Sequence, residues 1–143
     1  MAKVNDILQA KGNEIFSVSP DTTVYAALEI LFEKNISALV ILDQQKPKGI
    51  FTERDYARKV VLKGKSSKET TIKEIMTADL ITISPECSIE EAMQIMTNNH
   101  IRHLPVVEQE KMTGIISIGD VVKFLLKEQQ FIIDTMENYI KGA

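Results

Sequence analysis

GIFTERD (Gly49–Asp55) and GIISIGD (Gly114–Asp120) are two copies of one pattern: a glycine, two apolar residues, a hydroxyl, two variable residues and an aspartate, set 65 residues apart. The same offset, without a gap, lays Ile15–Lys59 over Leu80–Phe124. Ser19-Pro20 falls on Ser84-Pro85, Ala27 on Ala92, Ile30 on Ile95, Ile36 on Ile101 and Leu39 on Leu104; 11 of 45 positions are identical. Most other pairs keep their apolar or polar class. The chain is an internal repeat, and the fold must be read one repeat at a time.

Each repeat has the same order of elements. A short strand (Ile15–Val18; Leu80–Ile83) runs into Ser-Pro, where the proline disfavours helix for the residue before it. A helix follows: Val24, Ala27, Leu28 and Leu31, and in the second copy Ile89, Ala92, Met93 and Met96, form an apolar stripe at i, i+3, i+4, i+7. Two β-rich runs come next, Ala38–Leu42 with Gly49–Thr52 and His103–Val107 with Gly114–Ser117, joined by the polar hairpin loops DQQKPK and EQEKMT. The motif aspartate then opens a second helix from an N-cap position. The predicted fold is α/β (α+β): two β-α-β-β-α repeats, residues 1–64 and 65–143, packed as a pseudo-two-fold module. Neither half is large enough to bury much surface alone. The polar segment Lys63–Glu69 is the linker. The last helix differs from its counterpart: it can run from Asp120 through Ile140 without Gly or Pro, with Val122, Leu125, Ile132, Met136 and Tyr139 near helical spacing. That stripe suits packing against the module or against a second subunit.

Composition narrows the function classes. The 143 residues are 44% apolar and 26% charged, ordinary for a globular protein, and contain 6 Gly and 4 Pro. No apolar run approaches the roughly 20 residues a membrane-spanning helix needs. The N-terminal stretch MAKVNDILQAKGNE lacks the apolar run of a secretory signal, and Cys87 is the one cysteine, so a reduced, cytoplasmic setting is expected. The net charge of −3 argues against nucleic acid as the main partner. The local basic cluster Arg54–Lys68 reads as a solvated helix face. Two histidines and one cysteine do not make a protein-built metal site. Nor does the chain offer a nucleophile with a neighbouring base, a Walker loop or a paired-carboxylate site.

The duplicated motif has a structural and a functional reading. Structurally, Asp55 and Asp120 cap helices while Thr52 and Ser117 finish the turn. Functionally, a carboxylate accepts hydrogen bonds from both hydroxyls of a ribose. A hydroxyl three residues earlier, beside helix-start N–H groups, donates to a phosphate. Retention of both groups in both copies favours function.

At this point the chain resembles a tandem pair of cystathionine-β-synthase (CBS) domains, a Bateman module. The motifs ISALVIL-x6-GIFTERD and IRHLPVV-x6-GIISIGD carry the resemblance, which covers about residues 10–127. It implies two clefts between the repeats that bind adenine nucleotides such as AMP, ADP, ATP or NAD(H), or S-adenosylmethionine, and pairing of modules into a disc-like homodimer. Position by position, it implies that Ser117 and Asp120 hold phosphate and ribose in one cleft. That cleft is completed by Lys11, Asn13, Glu14 and Phe16, with Ile36, Ser37 and Ala38 flanking the base. Thr52 and Asp55 play the same roles in the other, completed by Met76, Leu80 and Ile81 and by Ile101, Arg102 and His103. Arg102 and His103 match basic phosphate contacts where the first repeat has Ser37 and Ala38, and Arg54 stands opposite Gly119, so the two clefts are expected to differ. His103, in an alternating apolar strand, also suits a hydrogen-bonded structural role; His100 reads as a helix end. The expected function is a stand-alone regulatory module, not an enzyme, that signals ligand occupancy to an unidentified protein target. The alternative is a structural or interaction protein with vestigial clefts and a functional C-terminal helix.

Overall fold

The computed structural model describes residues 2–12 and 14–142. The first repeat follows the predicted order. Strand β1 (Ser17–Val18) pairs in parallel with β2 (Ala38–Asp43), and β2 pairs antiparallel with β3 (Lys46–Thr52). Helix α2 (Val24–Lys34) covers one face of this sheet. Its N-cap Thr23 accepts a hydrogen bond from the Ala26 N–H, and its C-cap Asn35 is left-handed at φ 52°. The second repeat matches it. Helix α5 (Ile89–Asn99) starts at the N-cap Ser88 and ends at left-handed His100, as read for that histidine, and β4 (His103–Glu108) pairs with β5 (Lys111–Ser117).

Two local differences from the sequence reading have physical causes. The hairpin loops are tighter than predicted. Gln44 and Gln45, and likewise Gln109 and Glu110, all have positive φ, so each hairpin closes in a two-residue turn whose twist suits the flanking strands. The strands therefore reach back to Lys46 and Lys111, with a register shift between Ile41 and Leu42 and between Val106 and Val107. The expected strand Leu80–Ile83 shrinks to a single bridge from Ile83 to Val106. In the first repeat the Val40 N–H donates to Phe16 O. The corresponding pair is Pro105 and Ile81, and proline has no N–H to give. Thr82, the counterpart of Ser17, consequently leaves the sheet; Leu80 and Ile81 lie outside it just as Ile15 and Phe16 do in the first repeat, where the expected strand Ile15–Val18 is likewise shortened, to Ser17–Val18.

Packing crosses between the repeats. Helix α1 (Val4–Lys11) opens the 1–64 span, yet Val4, Ile7 and Leu8 are buried with Leu104, Val106 and Ile116 of the second repeat. The short helix α4 (Ile72–Ile75) follows the first repeat and stays with it: Ile72 and Ile75 are buried with Leu39, Ile41 and Phe51. Each helix docks on a strand glycine. A Cβ on Gly114 would lie 2.7 Å from Leu8 Cδ2, and one on Gly49 would lie 2.6 Å from Met76 Sδ and 2.9 Å from the Thr77 carbonyl oxygen. Only glycine allows that approach. The chain after each helix must then cross to the other repeat. Glu14, Ile15 and Phe16 lie on the crossing from α1 to β1, and Thr77–Ile81 crosses from α4 to Ile83.

The motif helices end the repeats differently. Helix α3 (Glu53–Asp55) continues into a π-helical segment, Tyr56–Val61, whereas α6 (Ile118–Gly142) is a 25-residue α-helix about 37 Å long. Val121 of α6 is buried in the second core. Beyond Leu125 the helix leaves the module, and Phe131, Ile132, Met136 and Tyr139 are exposed, Tyr139 by 80%.

Gly49→Ala is expected to cost about 1–3 kcal/mol, the usual range for overpacking. Gly114→Ala should cost less. At Gly49 the obstructing Thr77 backbone is pinned by its reciprocal hydrogen bonds with Ile50, 3.0 Å each way, whereas at Gly114 a side chain must give. Urea unfolding of both variants checks the order. A Gly114→Ala loss equal to or above that of Gly49→Ala would contradict it.

Candidate functional site: two clefts between the repeats

The two crossing segments become walls. One cleft, of about 500 Å³, is formed by Lys11, Glu14 and Phe16 on the first crossing, Ile36–Ala38 ahead of and in β2, and Ser117 and Asp120 at the β5–α6 junction. The other, of about 690 Å³, lies between Thr77–Ile81 with Ile101–His103 on one side and Thr52, Arg54 and Asp55 on the other. Ser37 and His103 line both clefts, and the hydrogen bond between Ser37 Oγ and His103 Nε2 (2.9 Å) forms the partition.

Most residues expected at the clefts are there. Met76 and Gly119 line neither; Met76 is occupied against Gly49. Asn13 lies outside the described residues. Thr77, Arg58 and Lys59 line the larger cleft without having been singled out. Arg58 and Lys59 belong to the basic cluster read as a solvated helix face. A signal for Lys59 was available in the repeat alignment, where a cation one turn after Asp55 falls on Phe124 after Asp120.

The motif is a reciprocal cap, which corrects the position read for its aspartate. Thr52 is the N-cap of α3 and Asp55 sits at the third helical position. The Thr52 N–H donates to Asp55 Oδ2 (2.9 Å), and the Asp55 N–H donates to Thr52 Oγ1 (3.3 Å). Ser117 and Asp120 repeat this at 2.9 and 3.1 Å. Each pair satisfies two backbone donors that a helix start would otherwise leave unpaired.

Beyond the shared cap the two aspartates part. Asp55 Oδ2 also accepts the Thr52 hydroxyl (3.2 Å); Oδ1 accepts the Thr77 hydroxyl (3.1 Å) and pairs with Lys59 Nζ (3.2 Å). A carboxylate has about four acceptor positions, so Asp55 is saturated, and it is only 7% exposed. Asp120 is different. Its Oδ2 accepts Lys11 Nζ (2.7 Å) and the Ser117 N–H, while Oδ1 has no hydrogen-bond partner among the described residues. The Ser117 hydroxyl accepts from the Asp120 N–H and faces the Asp120 carboxylate, which it helps to hold ionised. The smaller cleft thus offers an ionised acceptor beside a hydroxyl, where the carboxylate of the larger is saturated.

The electrostatics agree with these contacts. Burial alone would push the Asp120 carboxyl up, but the Lys11 ammonium and the Ser117 N–H hold it below its ordinary value. His103 moves down from 6.5. Burial is the main cause; Asp120 opposes it, and Lys11 and Arg102 assist it. His103 is therefore neutral at pH 7 and has the structural role of hydrogen-bonding Ser37. The positive charge expected of the Arg102–His103 pair rests on Arg102.

Among the described residues no cluster of His, Cys, Asp and Glu has the geometry of a metal site, and no helix is long and apolar enough to cross a membrane. Comparison with known proteins agrees with the architecture. The chain is 40% identical to the Arabidopsis thaliana "CBS domain-containing protein CBSX3, mitochondrial", over 98% of this chain and 72% of that protein. It superposes with a TM-score of 0.87 on a putative signal-transduction protein with CBS domains from Burkholderia ambifaria, at 46% identity, covering 90% of this chain and 96% of that one. A CBS domain pair solved with 5′-methylthioadenosine and S-adenosylmethionine, that of protein MJ0100, superposes with a TM-score of 0.79 at 28% identity, covering 90% and 98%. The CBS domain model matches twice, over residues 4–62 and 72–127, and each match begins at the helix that docks on a strand glycine: the chain belongs to the CBS domain family, as a tandem pair.

Proposed function

We propose that this chain is a regulatory module that binds adenosine-containing ligands in its two clefts and relays their occupancy, rather than an enzyme. The observation that carries the reading is an Asp120 Oδ1 without a hydrogen-bond partner among the described residues, beside the Ser117 hydroxyl, in a cleft flanked by Phe16, Ile36 and Ala38. Those groups suit ribose hydroxyls and an adenine ring. Adenosine ligands bound to the MJ0100 domain pair support the class. AMP, ADP, ATP, NAD(H) and S-adenosylmethionine all contain it. Both motif carboxylates are tied into caps, and neither motif hydroxyl has a base beside it other than its own capping aspartate. A ligand held between the repeats regulates only by binding their alternative arrangements unequally.

Relay requires a partner, and the exposed apolar face of α6 is suited to one. Val122, Leu126, Ile132, Met136 and Tyr139 lie in water along a helix that leaves its own module. A second copy covering that face gives the homodimer, and the hexameric CBS-CP12 protein from bloom-forming cyanobacteria is an oligomer with the same module. A protein target is the other use of the face. One cysteine, Cys87, suits a reducing compartment, and the mitochondrial designation of the Arabidopsis relative means that a cytoplasmic location is not a family property.

Calorimetry with AMP, ATP and S-adenosylmethionine tests the binding claim. Asp120→Ala should weaken at least one ligand by about 1.5–3 kcal/mol, the worth of charge-assisted hydrogen bonds. Asp55→Ala should chiefly cost stability. Unchanged affinities in Asp120→Ala, or no binding by any of the three, would overturn the reading.

Light scattering at micromolar concentration should report twice the 16.1 kDa chain mass. A monomer with and without nucleotide would refute the dimer.

Stability should also depend on pH through Asp120. Its folded pKa is depressed, so the stability it adds is complete above the unfolded value, about 4, and is lost as pH falls through the folded value. The difference between wild type and Asp120→Asn should therefore be constant from pH 7 to about 4 and shrink below. A difference that grows on acidification would contradict this.

A further inference from the structure

The chain contains three arginines, Arg54, Arg58 and Arg102, and all three line the Asp55 cleft. They come from both repeats, Arg54 and Arg58 from the motif helix and Arg102 from the turn before β4. None is in an ion pair among the described residues, where the salt bridges all use lysine. Arg54 Nη1 donates to the His100 carbonyl (3.3 Å), which steadies the group and leaves its other donors open. Arginines on a merely solvated helix face need not converge with one from another repeat. A guanidinium fork matches phosphate oxygens two at a time. With Lys59 neutralised by Asp55, three arginines face Glu53 and Asp79, a net charge of about +1.

The Asp120 cleft has the opposite sign. Lys11 is neutralised by Asp120, His103 is uncharged, and Glu14 remains, with Glu53 shared between the two clefts and no unpaired cation among the described lining residues, so the net charge is negative, about −1 to −2. Lys34, 5.6 Å from the centre of the Phe16 ring, lies outside the lining and would not reverse the sign. In clefts with low-dielectric walls such differences are focused rather than screened.

We propose that the two clefts sort adenosine ligands by charge: the Asp55 cleft holds a phosphate tail on Arg54, Arg58 and Arg102, and the Asp120 cleft takes an adenosine ligand without one. This rests on the reading of the clefts as adenosine sites and gives each its ligand class. In the Asp55 cleft the nucleoside lies against Leu80, Ile81 and Ile101, and affinity comes from the phosphates because Asp55 has no acceptor to spare. In the Asp120 cleft the ribose is held by Asp120 and Ser117, and the surplus negative charge rejects a polyphosphate.

Calorimetric titration of the full chain with ATP, inorganic tripolyphosphate and 5′-methylthioadenosine tests this, in wild type and in an Arg58→Gln/Arg102→Gln double variant. Both arginines are exposed, so the variant should fold, which circular dichroism checks. Tripolyphosphate is expected to displace ATP and to leave 5′-methylthioadenosine bound. The double variant should weaken ATP and tripolyphosphate at least tenfold, flatten their salt dependence, and bind 5′-methylthioadenosine as wild type does. ATP affinity unchanged in the double variant, or one-for-one displacement between ATP and 5′-methylthioadenosine, would overturn the proposal. If no adenosine ligand binds, the reading of the preceding section falls. Arginine-dependent tripolyphosphate binding would then still make the Asp55 cleft a polyphosphate site, and its absence would overturn that as well.

Discussion

Two side chains resting on two glycines hold this module in shape: Leu8 on Gly114 and Met76 on Gly49. Each contact docks a short helix on one repeat and obliges the chain that follows to cross to the other. The clefts are what those crossings enclose. A β-carbon at Gly49 would press on the Thr77 backbone and so on the wall of a cleft, and one at Gly114 would force the Leu8 side chain to move. The binding geometry is therefore a consequence of core packing, and the two repeats share one structure because each lends the other a piece of its core.

On this near-symmetric frame the polar groups are deployed unequally. The reciprocal cap is the same at Thr52–Asp55 and Ser117–Asp120. What surrounds it differs by single residues. Lys59 and Thr77 saturate Asp55, while Phe124 takes the place of Lys59 after Asp120 and Lys11 reaches in from outside the repeat. Pro105 in place of Val40 removes one hydrogen bond and leaves the single Ile83–Val106 bridge where the first repeat has a two-residue strand. A module with two unlike clefts can answer two signals, and the uncovered face of α6 offers a surface through which to pass the answer on.

Much of this was legible in the chain. The 65-residue offset exposed the repeats, the apolar stripes located α2 and α5, and the duplicated hydroxyl and aspartate marked both strand-to-helix junctions. Helices α1 and α4 went unread because they correspond at a different offset: Val4 and Ile7 match Ile72 and Ile75, 68 residues on, so a single ungapped register hides them. The aspartate was placed one turn too early, at the cap itself, because a hydroxyl and a carboxylate three residues apart can each play that part and only the backbone decides. The walls of the clefts followed from the resemblance to CBS pairs. The saturation of Asp55 did not, since it depends on Thr77 coming close from a segment 22 residues away. Arg54 and Arg102 stand among the residues the sequence points to, whereas Arg58 reads from sequence as part of a solvated helix face.

The central claim is that one framework carries a ribose site at Asp120 and a phosphate site at the arginines. A crystal structure of the chain grown with ATP and 5′-methylthioadenosine together tests it most directly. A phosphate-free adenosine is expected with its ribose hydroxyls on Asp120 Oδ1, and a triphosphate within hydrogen-bonding distance of Arg58 and Arg102, with the Asp55–Thr77 and Asp55–Lys59 contacts intact. A ribose on Asp55 with Thr77 and Lys59 displaced, or both clefts filled by the same ligand in the same pose, would contradict it.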